Sequence, residues 1–252
     1  MIWHIHLGAH KTASTHLQRT LEALNLMPPH REQREASSAI FSKGVPLAEL
    51  FDKTVLSEEN WLGEINEACS FPPYPRLRRN MARLRDATGG SGHAFLSVRH
   101  PASFISATYG QALRNTPNKV SLKRTRRAWA GKSPWIGIAE TVAEFFPLTI
   151  WRYEDYRHNA KAIAELVAGR SIAALPKLPD PPSTMRPTQS AVDAIEASRN
   201  LFGRISWHRA QKLLAAGTGP KFKMFDETDA MDEAYRVDIE TFEKRGWLFQ
   251  PR

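Results

Sequence analysis

The stretch Ile2-Trp3-His4-Ile5-His6-Leu7-Gly8-Ala9-His10-Lys11-Thr12-Ala13-Ser14-Thr15-His16-Leu17 decides the fold. Ile2–Leu7 reads as a short buried strand, Gly8–Ala13 as a tight loop, and Ser14–Leu24 as a helix with Leu17, Leu21 and Leu24 on one face. A strand that runs through a short loop into a helix is the opening unit of a parallel α/β sheet. Ligands of such sheets sit beyond the carboxyl ends of the strands. A loop that opens a helix also aims unpaired backbone N–H groups outward, where the helix dipole adds positive potential. With the charge of Lys11 and the hydroxyls of Thr12, Ser14 and Thr15, this loop can hold a phosphate or a sulfate. The competing reading is an ordinary Ser/Thr helix cap beside a surface lysine.

Outward from that unit the pattern repeats. Thr54–Leu56 is a second strand, with a helix expected from Glu58 to Ala68. Pro75–Ala87 is a basic helix. Ala94–Val98 is a third strand, after which Pro101 opens a helix with Ile105, Tyr109, Ala112 and Leu113 as its core stripe. Ile136–Phe146 reads as helix, Leu148–Tyr153 as a fourth strand, and Asp155–Val167 as helix. Pro28–Gly44 looks like a variable polar stretch, Asn115–Pro134 like an irregular basic insertion, and Pro176–Pro187 like a connector. Two or three helices close the chain, including Thr188–Phe202 and Asp229–Lys244. The expected architecture is one three-layer α/β domain over residues 1–252, with a mostly parallel central sheet flanked by helices and a helical C-terminal part.

Charge narrows the ligand. The 252 residues carry a net +9, and no carboxylate occurs from Ala87 to Ala139, where Arg99, Arg114, Lys119, Lys123, Arg124, Arg126, Arg127 and Lys132 lie. Asp226 to Glu243 reverses this, with eight acidic residues and one Arg. The asymmetry points to an anionic ligand near the middle of the chain. No helix-turn-helix, zinc-finger or aromatic RNA-binding motif accompanies it. Cys69 is the only cysteine, which excludes an intramolecular disulfide and disfavours a Cys-based metal site. No long apolar run and no basic-then-apolar leader appears, so the expected location is the reducing cytoplasm.

The loop is not a Walker A motif, which needs Lys directly after its last Gly; here Lys11 lies three residues after Gly8. His10-Lys11-Thr12-Ala13-Ser14-Thr15 instead resembles the 5′-phosphosulfate loop of the sulfotransferase family, which reads Lys-Ser/Thr-Gly-Thr/Ser-Thr and often has a preceding His in bacterial members. Ala13 stands where that family has Gly. Val98-Arg99-His100-Pro101 resembles the family's 3′-phosphate motif, which continues to a Ser about eight positions after the Arg. That position is Ala107 here, with Ser106 and Ser103 nearby. Val55-Leu56-Ser57-Glu58-Glu59 resembles the Ser-x-Glu segment of bacterial and carbohydrate-type members.

The resemblance implies a P-loop-like sulfotransferase fold that uses 3′-phosphoadenosine-5′-phosphosulfate as donor and needs no metal. It releases adenosine 3′,5′-bisphosphate. Gly8, His10, Lys11, Thr12, Ala13, Ser14 and Thr15 would hold the 5′ end. Arg99, Ser106 or Ser103, and Arg186 would hold the 3′-phosphate. Glu59 would be the base, with Glu58 and His10 as alternatives, and Lys11 would neutralise charge. Trp151-Arg152-Tyr153-Glu154-Asp155 resembles the family's late Tyr-Glu-Asp strand and is read as structural. Against this, Ser57-Glu58-Glu59 also reads as a capped helix start with favourably placed acids. His4 and His6 read as packing residues. The acceptor is a hydroxyl compound, a carbohydrate or small molecule; the basic insertion with Trp129 and Trp135 suggests an anionic glycan stacked on those indoles. The alternatives are a nucleotide kinase or NTPase of related fold, a non-catalytic protein that binds nucleic acid or another polyanion, and an inactive sulfotransferase-like domain.

Overall fold

The computed structural model describes residues 2–179, 186–199 and 202–251. Among these, four strands form one parallel sheet: β1 (Trp3–Gly8), β2 (Val55–Ser57), β3 (Gly92–Val98) and β4 (Leu148–Arg152), in the order β2-β1-β3-β4. Register pairs His6 with Ser57 on one side of β1 and with Phe95 on the other. The chain leaves β1 toward β2 and then crosses to β3. The strand order therefore reverses beside β1, and the crevice between the carboxyl ends of β1 and β3 is the place for a ligand.

Eleven helices are described: α1 (Ser14–Ala23), α2 (His30–Ser38), α3 (Leu47–Leu50), α4 (Leu77–Ala87), α5 (Pro101–Asn115), α6 (Leu122–Trp129), α7 (Trp135–Ala143), α8 (Tyr153–Ala168), α9 (Gln189–Ala197), α10 (Trp207–Ala216) and α11 (Asp229–Lys244). Strand alternation divides them into two layers. Ile5, Leu7, Leu56, Leu96 and Ile150 point into a core shared with α4, α5 and α7. Val55, Phe95 and Trp151 point the other way, into a core with Leu17 and Leu21 of α1 and Ile163 and Val167 of α8. On β1 this second face carries His4 and His6. His4 Nδ1 lies 2.8 Å from the Val167 carbonyl, and His6 stacks on Trp151. The result is a three-layer α/β sandwich.

At each sheet edge a further segment takes up backbone groups that would otherwise be unpaired. Beyond β4, Ile150 exchanges 2.7 Å backbone hydrogen bonds with Trp247 and Phe249. Beyond β2, the Gln33 side chain of α2 accepts the Ser57 N–H at 2.7 Å.

Three segments differ from the sequence expectation. The polar stretch 28–44 contains α2 and a π-helical turn, Ala39–Lys43. Two 3-10 turns, Glu59–Trp61 and Glu67–Cys69, stand where a helix from Glu58 was expected. Residues 115–134 are not irregular: a 3-10 turn, Pro117–Lys119, leads into α6. Trp129 and Trp135 are fully buried, Trp129 against Phe71 and Phe104, and neither indole can stack on a sugar. The helix expected to reach Phe202 ends earlier, at Ala197 with Ser198 as its C-cap, and residues 180–185 of the Pro-rich connector and 200–201 lie outside the described residues. No described helix is long and apolar enough to cross a membrane.

Candidate functional site

The loop after β1 is held from within. Thr12 Oγ1 donates to the Ala9 carbonyl at 2.6 Å, and Ser97 Oγ donates to the Thr12 carbonyl at 3.3 Å. Gly8 is required by close approach: a Cβ there would meet Ser14 Oγ at 2.1 Å and His6 Cε1 at 2.8 Å. Lys11 and Ala13 both adopt left-handed backbone, φ 65° and 67°. Ala13 is the N-cap of α1 and supplies no side-chain cap bond. The Ser/Thr-cap reading therefore does not describe this helix start, and the first N–H groups of α1 face the crevice without a capping side chain. A left-handed conformation costs a residue with Cβ about 1–2 kcal/mol, part of which glycine returns in unfolded-chain entropy. Ala13→Gly is expected to stabilise the protein by about 0.5–1 kcal/mol, read as a higher denaturant midpoint at constant slope, without weakening anion binding.

The crevice opens into a cavity of about 560 Å³ lined by Lys11, Ala13, Ser14, Thr15, His16, Glu59, Arg99, Ala107, Gln111, Arg114, Tyr153, Arg186 and Lys221. Five cationic side chains and one carboxylate thus face one space. Arg99 joins the two strand ends: Nη1 donates to the Lys11 carbonyl at 2.7 Å and Nε to Ser103 Oγ at 2.8 Å. Its guanidinium lies 4.2 Å from the Tyr153 ring centroid. Burial, with Arg114 and Arg99 nearby, pulls the Lys11 ammonium below its usual range, and Glu59 opposes this. Arg186 and Lys221 arrive together, because Phe222 N–H donates to the Pro187 carbonyl and residues 188 and 221 form a bridge. Pro187 packs so closely on α5 that a Cβ on Gly110 would meet its Cδ at 2.4 Å.

The adjacent carboxylates after β2 have different environments. Glu58 is fully buried, ion-paired with His30 Nε2 at 2.9 Å, and accepts from Asn60 N–H at 2.8 Å. Burial would raise its pKa, but His30 and Asn60 outweigh that and hold it below the usual carboxylate value. Glu59 lines the cavity. Burial and the charge of Glu58 push its pKa up to about 7. Glu58, not Ser57, caps this turn; Ser57 Oγ lies 2.7 Å from His6 Nδ1.

The remaining sequence candidates divide. Gly8 shapes the loop and Thr12 braces it. His10 is buried with its Nδ1 3.0 Å from the Tyr74 hydroxyl, and burial drops its pKa to about 4. Ser106 turns into the core: its hydroxyl donates to the Ala102 carbonyl at 2.6 Å and accepts Met224 N–H at 2.9 Å. Ala107 is the residue of that turn on the cavity. Gln111 was missed in the sequence, and Arg114 was read only as part of a basic segment; the helical i, i+4, i+7 spacing of Ala107, Gln111 and Arg114 was the signal that could have placed both on the cavity. Tyr153, read as structural, stacks on Arg99 at the cavity wall. Lys221 sits in a segment with no motif, and only the pairing with 186–189 brings it here.

No family model and no curated protein matches the chain. Among solved structures, the chain is similar to a sulfotransferase from Alicyclobacillus acidocaldarius, at 12% identity over 86% of this chain and 95% of that one, with a TM-score of 0.48.

Proposed function

We propose that the protein transfers a sulfuryl group from 3′-phosphoadenosine-5′-phosphosulfate to a hydroxyl acceptor. One observation carries the reading: a carboxylate with a pKa near 7 faces the same cavity as a lysine-bearing helix-opening loop and four further cations. A donor with phosphate groups at both ends of a nucleoside suits that distribution. Lys11, the α1 N–H groups, Ser14 and Thr15 would hold the phosphosulfate end. Arg99, Arg114, Gln111 and Arg186 would hold the 3′-phosphate, with Arg114 and Gln111 supplying contacts that Ala107 lacks.

In the reaction the acceptor oxygen forms a bond to sulfur while the bond from sulfur to the 5′-phosphate oxygen breaks. Glu59 takes the acceptor proton. Lys11 and the loop dipoles offset charge growing on the departing phosphate. The products are a sulfate ester and adenosine 3′,5′-bisphosphate.

Calorimetry tests the donor. Adenosine 3′,5′-bisphosphate is expected to bind more tightly than ATP with Mg²⁺. Tight ATP binding with no response to the bisphosphate would indicate a kinase or NTPase and overturn the proposal. Incubation with ³⁵S-labelled donor and a panel of sugars, phenols and alcohols then identifies the acceptor class.

A further inference from the structure

The helix α2 lies in a stretch whose sequence reads as variable and polar, yet one of its faces makes a specific set of contacts. His30, Gln33 and Ser37 fall at i, i+3, i+7 and share that face. His30 Nε2 pairs with Glu58 at 2.9 Å, Gln33 Oε1 accepts Ser57 N–H at 2.7 Å, and Ser37 Oγ accepts Trp61 Nε1–H at 3.1 Å. These partners bracket Glu59 on both sides in sequence. Gln33 is itself fully buried and donates to the Pro28 carbonyl at 2.8 Å, which anchors the start of the helix. His30 N–H is held by the Glu22 carboxylate at the end of α1. Three side chains on one face of this polar helix thus reach the end of β2 and the turn that follows it, on both sides of Glu59.

We infer that α2 is a strap that aims Glu59 into the cavity, and that Glu58 and His30 are positioning residues which set its charge. The inference deepens the proposed sulfuryl transfer and rests on Glu59 facing that site. Beside Lys11, the cations Arg99, Arg114, Arg186 and Lys221 line the cavity that Glu59 faces, and four charged groups act on it most. Glu58 on its own turn opposes its ionisation; His30 and Arg34 from α2, and Lys11 from the loop after β1, favour it. His30 is in turn influenced by Glu58, Glu59 and Glu22, with the contact to Glu58 the largest influence, and its pKa is raised. His10, the nearby histidine, is held neutral by burial. Tyr74 stays protonated for the same reason. With His30 protonated, the pair is neutral in sum and Glu59 ionises more readily. When His30 loses its proton, the charge of Glu58 is uncompensated and Glu59 retains its own proton to higher pH.

The two members of the pair must therefore move Glu59 in opposite directions, an outcome that mere loss of structure does not produce. The test is a carboxyl titration by carbon-13 NMR on the full chain labelled at glutamate, with Glu59 assigned by its absence in Glu59→Gln. Glu58→Gln is expected to lower the Glu59 midpoint and His30→Gln to raise it, each by about one pH unit. If Glu58→Gln does not fold, the half-exposed His30 position decides alone: a rise supports the strap. No shift, a fall, or displacements of the same sign overturns it. The titration needs no acceptor. Normal transfer by Glu59→Gln would end the base reading while leaving the titration result to decide the strap.

Discussion

Replacing Arg99 with alanine is expected to weaken binding of adenosine 3′,5′-bisphosphate roughly a hundredfold. The side chain has two jobs. It ties the loop after β1 to the helix after β3 through the Lys11 carbonyl and Ser103 Oγ, and it presents the guanidinium edge to the cavity while its face stacks on Tyr153. Hydrogen bonds from a cation to phosphate contribute about 1.5–3 kcal/mol each, so losing a two-pronged contact costs about 3 kcal/mol. Losing the tether adds to this, because the Lys11 carbonyl then has no guanidinium partner and the left-handed Lys11 conformation has less to hold it. Arg99→Lys keeps the charge but cannot span loop and helix together, and it is expected to recover only a small part of the affinity. Isothermal calorimetry separates the two jobs. If the side chain grips the 3′-phosphate, the penalty is large with the bisphosphate and small with adenosine 5′-monophosphate. An equal loss with both nucleotides would assign it to the loop alone, and unchanged bisphosphate affinity would remove Arg99 from the site.

The sheet was legible because buried parallel strands announce themselves. Ile5 and Leu7, Leu96 and Val98, and Leu148 and Ile150 alternate with residues for the opposite core, and each run is followed by a helix with an apolar stripe. Asp229–Lys244 has the same bounds in the structure as in the sequence reading, since Met231, Tyr235, Asp238 and Phe242 hold a clean helical period. The missed helices lack such a stripe. In α2 only Gln33 is buried, and its stability comes from polar contacts to distant residues 57, 58 and 61 that no local pattern encodes. In α6 the buried residues are Thr125 and Trp129, submerged among four basic neighbours that read as a solvated loop.

The site was legible at its loop and at Arg99, where a strand end fixes direction. It was not legible where helix phase or a turn decides. Ser103, Ser106 and Ala107 lie within five residues, and only the rotation of α5 sends Ser103 to Arg99, Ser106 to Met224 and Ala107 to the cavity. Glu58 and Glu59 are chemically the same and adjacent in sequence. The extended backbone of Glu58, φ −145° and ψ 115°, turns one carboxylate to α2 and leaves the other for the cavity. The acidic run near the C-terminus also finds partners inside the chain: Asp232 meets His100 Nε2 at 2.7 Å, and Asp238 is held by Ser133.

Glu59→Gln is expected to lower the rate of sulfuryl transfer by roughly 10²–10⁴-fold, the usual loss for a positioned base, while leaving bisphosphate affinity unchanged or improved, since it removes a negative charge from an anion site. For the native protein, transfer activity is expected to fall as pH drops through about 7, because only ionised Glu59 can accept the proton and burial beside Glu58 raises that midpoint. The same displacement has a consequence for stability that needs no acceptor. An unfolded glutamate ionises near pH 4.3, so the folded state favours the protonated form over the window from there to about 7. The stability this group confers is complete below the unfolded midpoint and is lost as pH rises through the folded one. Above pH 7 the buried charge costs up to about 4 kcal/mol, a strain that active sites commonly carry. Glu59→Gln should therefore match the native protein in denaturant midpoint at pH 4 and exceed it at pH 8. If the two midpoints stayed parallel from pH 4 to pH 8, Glu59 would have an ordinary carboxylate pKa and would be a poor base at neutral pH.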